Sequence, residues 1–186
     1  MKKLTYRIKD DAKIWSNVPR KTDDAFDYLY QKLIEENEAL IAIADKRGCG
    51  PYDAPVRKKV SPAQEVLLLI YRLDSQILNG GITQFIWNAA SEFDDVEKAI
   101  KKLRQPEFGK LYKKMQDHAE SKFDEWEPLY IKGHEVGGKV GMECFHKTYA
   151  LFGLKWFDKD YLAKHRTKLV KAINEFVVKN KKEFVK

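Results

Sequence analysis

The sequence predicts an all-α protein, a helical bundle, and three observations support this prediction. Apolar residues recur at three- and four-residue steps along most of the 186-residue chain. Capping residues, prolines and glycines stand where these patterns begin and end. No segment of useful length alternates apolar and polar residues, as a half-buried strand would. Because 44 % of the residues are apolar, we predict a single helical domain over residues 1–186, with residues 1–20 as a loosely attached arm.

The first helix is predicted to begin at Thr22, whose side chain can cap a helix that opens with Asp23 and Asp24. Asn37 is a polar residue within the apolar stripe of this helix, and Gly48 is expected to end it. The following stretch, 48–59, contains two glycines and two prolines and is predicted to be a loop. The stripe comprises Phe26, Leu29, Tyr30, Leu33, Ile34, Leu40 and Ile41.

The second helix has the clearest start in the chain. Ser61 is the predicted N-cap, Pro62 lies in the first turn, and Gln64 completes a capping box. The residues from Val66 to Ile77 are apolar on nearly every side. Such a pattern predicts a central helix that is buried on more than one face.

The central helix runs into Asn79, Gly80 and Gly81. Asparagine and glycine tolerate the left-handed backbone that ends a helix, so we expect a tight helical hairpin with a positive φ at one glycine. Thr83 can cap a short helix that continues to about Ser91.

Polar side chains at Gln84 and Asn88 lie one turn apart on that short helix and therefore share a face. Phe85, Ile86 and Ala89 are expected to face inward. If the two amides are buried, the backbone groups of the glycine turn are their nearest partners. This argument makes the motif a scaffold rather than a site.

Further helices are predicted from Asp94 and from Pro106, and a last one from about Asp158 or Asp160 to about Lys179. Residues 128–141 contain Pro128 and four glycines, so we predict a loop there. The core face of the last helix would consist of Tyr161, Leu162, Leu169, Ile173, Phe176 and Val177.

The string GHEVGGKV at residues 133–140 approaches a phosphate-binding loop, since Gly133, Gly138 and Lys139 fit the pattern. Val140 stands where such a loop needs Ser or Thr for magnesium, and no alternating strands and helices surround the string. A glycine-rich surface loop is the favoured interpretation.

Other chemical signals are weak. Cys144, His146 and His134 have loose spacing for zinc, and no nucleophile is marked by its neighbours. We expect no catalytic site, no metal and no cofactor. The hairpin has the length of a DNA-binding helix-turn-helix, but its second helix carries no Lys or Arg from Ile82 to Glu97 and approaches with carboxylates. This argues against DNA binding there.

The net charge of +7 is concentrated at the C-terminal end, where residues 155–186 carry +6. This segment could contact nucleic acid or an acidic partner, or be the solvated face of a terminal helix. The candidate residues are Lys164, Arg166, Lys168, Lys171 and Lys179. No apolar run is long enough to span a bilayer, and the chain starts without a signal-peptide pattern. With only two cysteines, a cytoplasmic protein is expected.

The stretch LIYRLDSQILNGGITQFIWNAA resembles the signature of the bacterial DNA-mimic protein family, which has the form N-G-G-x-x-Q-F-x-x-N. The matching residues are Asn79, Gly80, Gly81, Gln84, Phe85 and Asn88. Residues 155–186 are similar to the family's terminal helix, so the resemblance covers 61–105 and 155–186. In the terminal helix the residues that match the family are Tyr161, Leu169, Phe176, Val177, Asn180 and Phe184.

The resemblance implies a helical, non-enzymatic protein that binds another protein. The member after which the family is named presents carboxylates as DNA presents phosphates, and so binds at the DNA site of a DNA-binding protein. A net charge of +7 departs from the negative face that such mimicry needs. We therefore expect an unidentified protein partner and no membrane contact, and we leave the oligomeric state and any acidic mimic face open.

Overall fold

The computed structural model describes residues 7–47, 54–57 and 59–186, and within them the protein is an all-α bundle, as predicted. The helices are α1 (Ala12–Ser16), α2 (Thr22–Tyr30), α3 (Glu38–Arg47), α4 (Ala54–Arg57), α5 (Pro62–Ala89), α6 (Phe93–Lys102), α7 (Pro106–Glu120), α8 (Phe123–Val136), α9 (Gly138–Phe152), α10 (Lys155–Asp160) and α11 (Arg166–Lys179). Two π turns, Gln31–Glu35 and Tyr161–His165, and two 3₁₀ turns, Ala90–Glu92 and Lys181–Glu183, complete the described elements.

Helix α5 lies at the centre of the bundle and packs against α2, α6, α9, α10 and α11. The predicted capping box is present: Ser61 Oγ accepts from the Gln64 N–H at 3.2 Å, and Gln64 Oε1 accepts from the Ser61 N–H at 3.0 Å. The side chains from Val66 to Ile70 are all buried, which confirms the central buried helix. None of the described helices combines the length and the apolar character that crossing a membrane requires.

The predicted first helix is two helices, and its start differs from the prediction. Lys21 is the N-cap of α2, and Thr22 is the first helical residue. A π turn follows α2, and the chain restarts at Asn37, whose buried side-chain oxygen accepts from the Leu40 N–H at 3.4 Å. The polar residue inside the apolar stripe therefore caps the N-terminus of α3. Ile41 lies exposed.

The predicted loop at 48–59 is partly helical, since α4 spans Ala54–Arg57, while 48–53 and 58 lie outside the described residues. The N-terminal arm also lies partly outside them, and its described part packs against the bundle through apolar side chains and hydrogen bonds. Ile8 forms an isolated parallel β-bridge with Val185, and the Tyr28 hydroxyl donates to the Ile14 carbonyl at 3.1 Å.

The predicted loop at 128–141 is wrong, because this segment is the end of α8 and the start of α9, an antiparallel pair of helices joined at Gly137 and Gly138. Pro128 lies inside α8. Two of the glycines are helical residues at points of close packing. A Cβ atom at Gly133 would lie 2.7 Å from Trp87 Cη2, and one at Gly141 would lie 2.9 Å from the Gly133 carbonyl oxygen. The glycines therefore serve helix contact, not a phosphate-binding loop.

The predicted last helix is divided by the π turn Tyr161–His165. Its i→i+5 bonding brings residues five apart onto neighbouring faces, so that Tyr161 and Arg166 both reach Asp74. The Tyr161 hydroxyl donates to Asp74 Oδ1 at 2.6 Å, and Arg166 binds both carboxylate oxygens, with Nε at 2.9 Å and Nη2 at 3.0 Å. Leu162, predicted to face the core, is instead 51 % exposed.

Candidate functional site

The asparagine-glycine-glycine turn interrupts α5 and reverses the chain. Gly80 has φ −153° and ψ 25°, and Gly81 has φ 73° and ψ 176°, which confirms the predicted positive φ. The two arms lie side by side, because Arg72 on the first arm donates to the Asn88 carbonyl at 3.2 Å and to Glu92 Oε1 at 2.9 Å. The helical hairpin is therefore present.

The second arm of the hairpin is capped from a distant part of the chain. Asp158 of α10 accepts from the Ile82 N–H through Oδ1 at 2.7 Å, so the cap is not the predicted Thr83, which is buried. Burial raises the pKa of Asp158, and the bond from Ile82 opposes that rise. A Cβ atom at Gly81 would lie 2.5 Å from Asp158 Oδ2, so the turn and its cap require glycine here.

The two motif amides do not bond the turn, contrary to the sequence argument. Gln84 Nε2 and Asn88 Nδ2 both donate to Gln76 Oε1, at 3.0 Å and 2.7 Å. Asn88 is exposed and Gln84 half-buried, whereas Phe85 between them is buried as predicted. Both amides have their partner on the opposite arm of the hairpin. Together they form a polar surface, in which the Gln84 oxygen lies against Gly80 of the turn and Asn88 faces solvent.

A groove of about 450 Å³ separates this polar surface from α8 and α9. We call it the motif groove, and it is lined by Gln84, Trp87, Asn88, His134, Met142 and Phe145, together with glycines of α8 and α9. The ring of Trp87 lies 4.9 Å from His134 and 5.5 Å from Phe145, measured between ring centroids. The groove thus has an aromatic wall on one side and two amides at its edge.

Apolar side chains beside the motif groove face solvent. Met142 is 54 % exposed, and Val136, near the tip of the α8–α9 pair, is 62 % exposed. His134 Nδ1 lies 2.9 Å from the Tyr130 carbonyl, which can only accept, so Nδ1 carries the proton of that bond. The arrangement can take up an apolar side chain and offer hydrogen bonds beside it.

The predicted basic surface is only partly available. Arg166 is committed to Asp74 and, through Nη1, to Asp23 Oδ2 at 2.9 Å, so it is a structural residue and not part of an open surface. Lys164 pairs with Asp160 at 2.8 Å, and Lys171 lies 3.9 Å from Glu175. Lys164, Lys168, Lys171 and Lys179 are all exposed on the C-terminal helical segment.

The other candidate ligands lie apart from one another. Cys144 is buried in α9, His146 is exposed, and His118 bonds the Phe152 carbonyl at 2.8 Å. Among residues 7–47, 54–57 and 59–186, no group of three or more His, Cys, Asp or Glu side chains could hold a metal ion. Cys49 lies outside these residues.

Sequence reasoning missed the aromatic wall of the groove, namely Trp87 and Phe145, together with Met142. A signal was present in the two helical glycines, because Gly133 makes room for the Trp87 ring and Gly141 lets α9 approach α8. This role depends on contacts between segments that are distant in sequence.

One of the comparisons with known proteins identifies a family. The model of the DMP19-like protein family matches residues 58–180, about two thirds of the chain. The match includes the whole hairpin, the motif groove and residues 106–154, which lie outside the stretches 61–105 and 155–186 that carry the resemblance. No curated protein and no solved structure matches the chain. The extent of the family match shows that the chain belongs to the DMP19-like protein family, a family of DNA-mimic type.

Proposed function

We propose that this chain is a non-enzymatic protein-binding module of the bacterial cytosol, and that its partner docks in the motif groove. One observation carries the proposal: the motif amide of Asn88 stands exposed at the edge of an open groove that the half-buried Gln84 also lines, instead of being buried at the turn. Polar side chains that neither fill the core nor bond the turn remain available for a partner.

The composition of the groove supports a protein partner. Aromatic residues and methionine are enriched in protein interfaces, and here Trp87, Phe145 and Met142 lie together. An apolar side chain of the partner would fill the space against the Trp87 ring, where buried anchors contribute most to binding. The exposed amide of Asn88 would bond a polar group of the partner beside that anchor, which would fix its orientation.

The carboxylates of the described residues give less support to DNA mimicry. Many of them lie next to a cation on the same helix or a neighbouring one, and the whole chain carries +7. The shorter pairs include Asp95 with Arg57 at 2.9 Å, Asp117 with Lys113 at 3.0 Å, and Glu125 with Lys122 at 3.1 Å. Recognition through the aromatic groove therefore fits this chain better than recognition through an array of free carboxylates.

The test is affinity capture from a bacterial lysate with two matched variants, followed by quantitative mass spectrometry. Met142→Asp places a charge beside the motif groove, whereas Val178→Asp places the same charge on α11, at a residue that is equally apolar and 50 % exposed. We expect a protein that the wild type and Val178→Asp both retain, and that Met142→Asp loses by roughly tenfold or more.

Equal recovery with all three proteins would contradict the proposed site. Recovery of no protein, together with turnover of a metabolite by the purified chain, would contradict the proposed class of function. Binding of nucleic acid that weakens steeply with salt and depends on Lys168 and Lys179 would favour the basic surface of the C-terminal segment instead.

A further inference from the structure

A second groove lies where α6 is followed by α7, and it shares no lining residue with the motif groove. Its volume is about 410 Å³. Four cationic side chains line it, Lys101, Arg104, Lys110 and Lys113, against one carboxylate, Glu97. We call it the basic groove. Its lining carries a clear excess of positive charge.

The cations of the basic groove differ in how far they are neutralised. Lys101 pairs with Glu97, Lys110 with Glu107 at 2.9 Å, and Lys113 with Asp117 at 3.0 Å. These pairs are exposed and therefore weak, so a new carboxylate can compete for the lysines.

Arg104 is the cation that stands without such a pair. It is exposed and makes no ion pair within the described parts of the chain. Its φ is 54°, a positive value that no other described residue except glycine has. The chain thus places a long, unpaired guanidinium at the edge of the groove, in a backbone conformation that arginine seldom adopts.

The floor of the basic groove is apolar and contains Ile100, Pro106 and Gly109. Gly109 lies inside α7, where glycine is less favourable than alanine. A Cβ atom at this position would meet only Ile100 Cγ2, at the ordinary contact distance of 3.8 Å. Unlike Gly133 and Gly141, this glycine is not required by packing, and its effect is to leave the floor open to close approach.

We propose that the basic groove binds an acidic peptide segment of a partner protein. An apolar side chain of that segment would lie on the floor at Gly109, and a neighbouring carboxylate would pair with the Arg104 guanidinium, which binds carboxylates in two-point geometry. This surface is distinct from the motif groove, and the inference stands without the function proposed for that groove.

A peptide explains the basic groove better than nucleic acid does. Binding to a phosphate backbone rests on contacts from several cations along the strand. Here Glu97, Glu107 and Asp117 lie beside the three lysines and would repel a run of phosphates, and among the described residues Arg104 is the groove cation without a carboxylate partner. The apolar floor, extended by the aliphatic stems of Lys110 and Lys113, matches an aliphatic or aromatic side chain.

The experiment selects short random peptides displayed on phage against the immobilised full chain. Enriched peptides are synthesised with a fluorescent label, and their binding is measured by fluorescence polarisation. The wild type is compared with Arg104→Glu, with Gly109→Leu, which fills the floor, and with Lys132→Glu, an exposed control on α8. A labelled DNA duplex and a labelled single strand are measured in parallel at two salt concentrations.

We expect enriched peptides that combine acidic residues with one large apolar residue. Arg104→Glu and Gly109→Leu should each weaken the binding of these peptides by roughly tenfold or more, while Lys132→Glu should change it by about twofold or less. Circular dichroism melting curves verify that each variant is folded. If Gly109→Leu does not fold, Arg104→Glu decides the result.

Two results would overturn the proposal. The first is a failure of the selection: no peptides are enriched, or the enriched peptides are neutral or basic, or they bind Arg104→Glu and Gly109→Leu as tightly as they bind the wild type. The second is binding of the DNA probes that depends on Arg104 and falls steeply with salt, which would make nucleic acid the occupant of the basic groove.

Discussion

Replacing Gly81 by alanine tests the hairpin at its most constrained residue. With φ 73° and ψ 176°, Gly81 occupies a backbone region that is essentially limited to glycine. The added Cβ would lie 2.5 Å from Asp158 Oδ2 and 3.1 Å from its Cγ, so the carboxyl group has to move. That movement weakens the 2.7 Å bond from the Ile82 N–H to Asp158.

The loss of stability can be worked out from these two effects. Backbone strain of this kind costs about 1–3 kcal/mol. Loss of the hydrogen bond to the charged carboxylate, which leaves the Ile82 N–H without a partner, costs a further amount of about 1.5–3 kcal/mol. We therefore expect Gly81→Ala to lower the free energy of unfolding by about 3–5 kcal/mol. For a domain of this size the melting temperature should fall by about 10 °C.

Gly109→Ala is the matched control, because it is the same substitution at a helical glycine with room for a Cβ atom. It should raise the free energy of unfolding by about 0.5–1 kcal/mol. Urea unfolding followed by circular dichroism gives both values. A Gly81→Ala protein within about 1 kcal/mol of the wild type, or a Gly109→Ala protein that is the less stable of the two, would refute the reasoning.

Two further predictions concern buried charges. Arg166→Ala should lower the free energy of unfolding by about 3–5 kcal/mol, because it leaves Asp74, only 4 % exposed, without its ion pair. Lys168→Ala on the same helix should change the free energy of unfolding by no more than about 0.5 kcal/mol. Equal effects of the two substitutions in urea unfolding would contradict this prediction. Burial raises the pKa of Asp158 above its usual 3.8, so the folded protein holds that proton more tightly than the unfolded chain does. The contribution of Asp158 to stability is therefore present at low pH and is lost as the pH rises from 3.8 through the raised pKa. Relative to Asp158→Asn, the wild type should become less stable across that interval, and a constant difference between the two would contradict the assignment.

Much of the fold could be predicted because its signals are local. The capping box of Ser61 and Gln64, the apolar surroundings of α5 and the glycines of the hairpin each act within a few residues of the chain. The same is true of α6, which starts beside Asp94 and Asp95 and buries Val96 and Ile100.

The errors arose where tertiary contacts outweigh local preference. Gly133 and Gly141 suggest a loop, yet both are helical residues. They are glycines because Trp87 and the backbone of the partner helix occupy the space that a side chain would need. The π turn at Tyr161–His165 shifts the register of the last helix, and this turn is set by the pairing of Tyr161 and Arg166 with Asp74, which lies far away in sequence.

The candidate site was half predicted. The motif residues were singled out, but Gln84 and Asn88 were assigned to the turn, because the sequence does not show that Asp158 satisfies the Ile82 N–H instead. Once that cap comes from α10, the two amides are left on the surface beside the aromatic wall. Their partner is Gln76 on the opposite arm, and no local pattern in the sequence indicates that pairing.

The most direct test of the central claim, that the motif amides serve binding rather than folding, is a paired measurement on Asn88→Ala. Because the Asn88 side chain is exposed and its described hydrogen bond is to the amide of Gln76, its removal should lower the free energy of unfolding by no more than about 1 kcal/mol. Capture of the partner that the wild type retains should fall by roughly tenfold. A variant that is clearly destabilised but binds its partner with undiminished affinity would show that Asn88 belongs to the scaffold and would contradict the account.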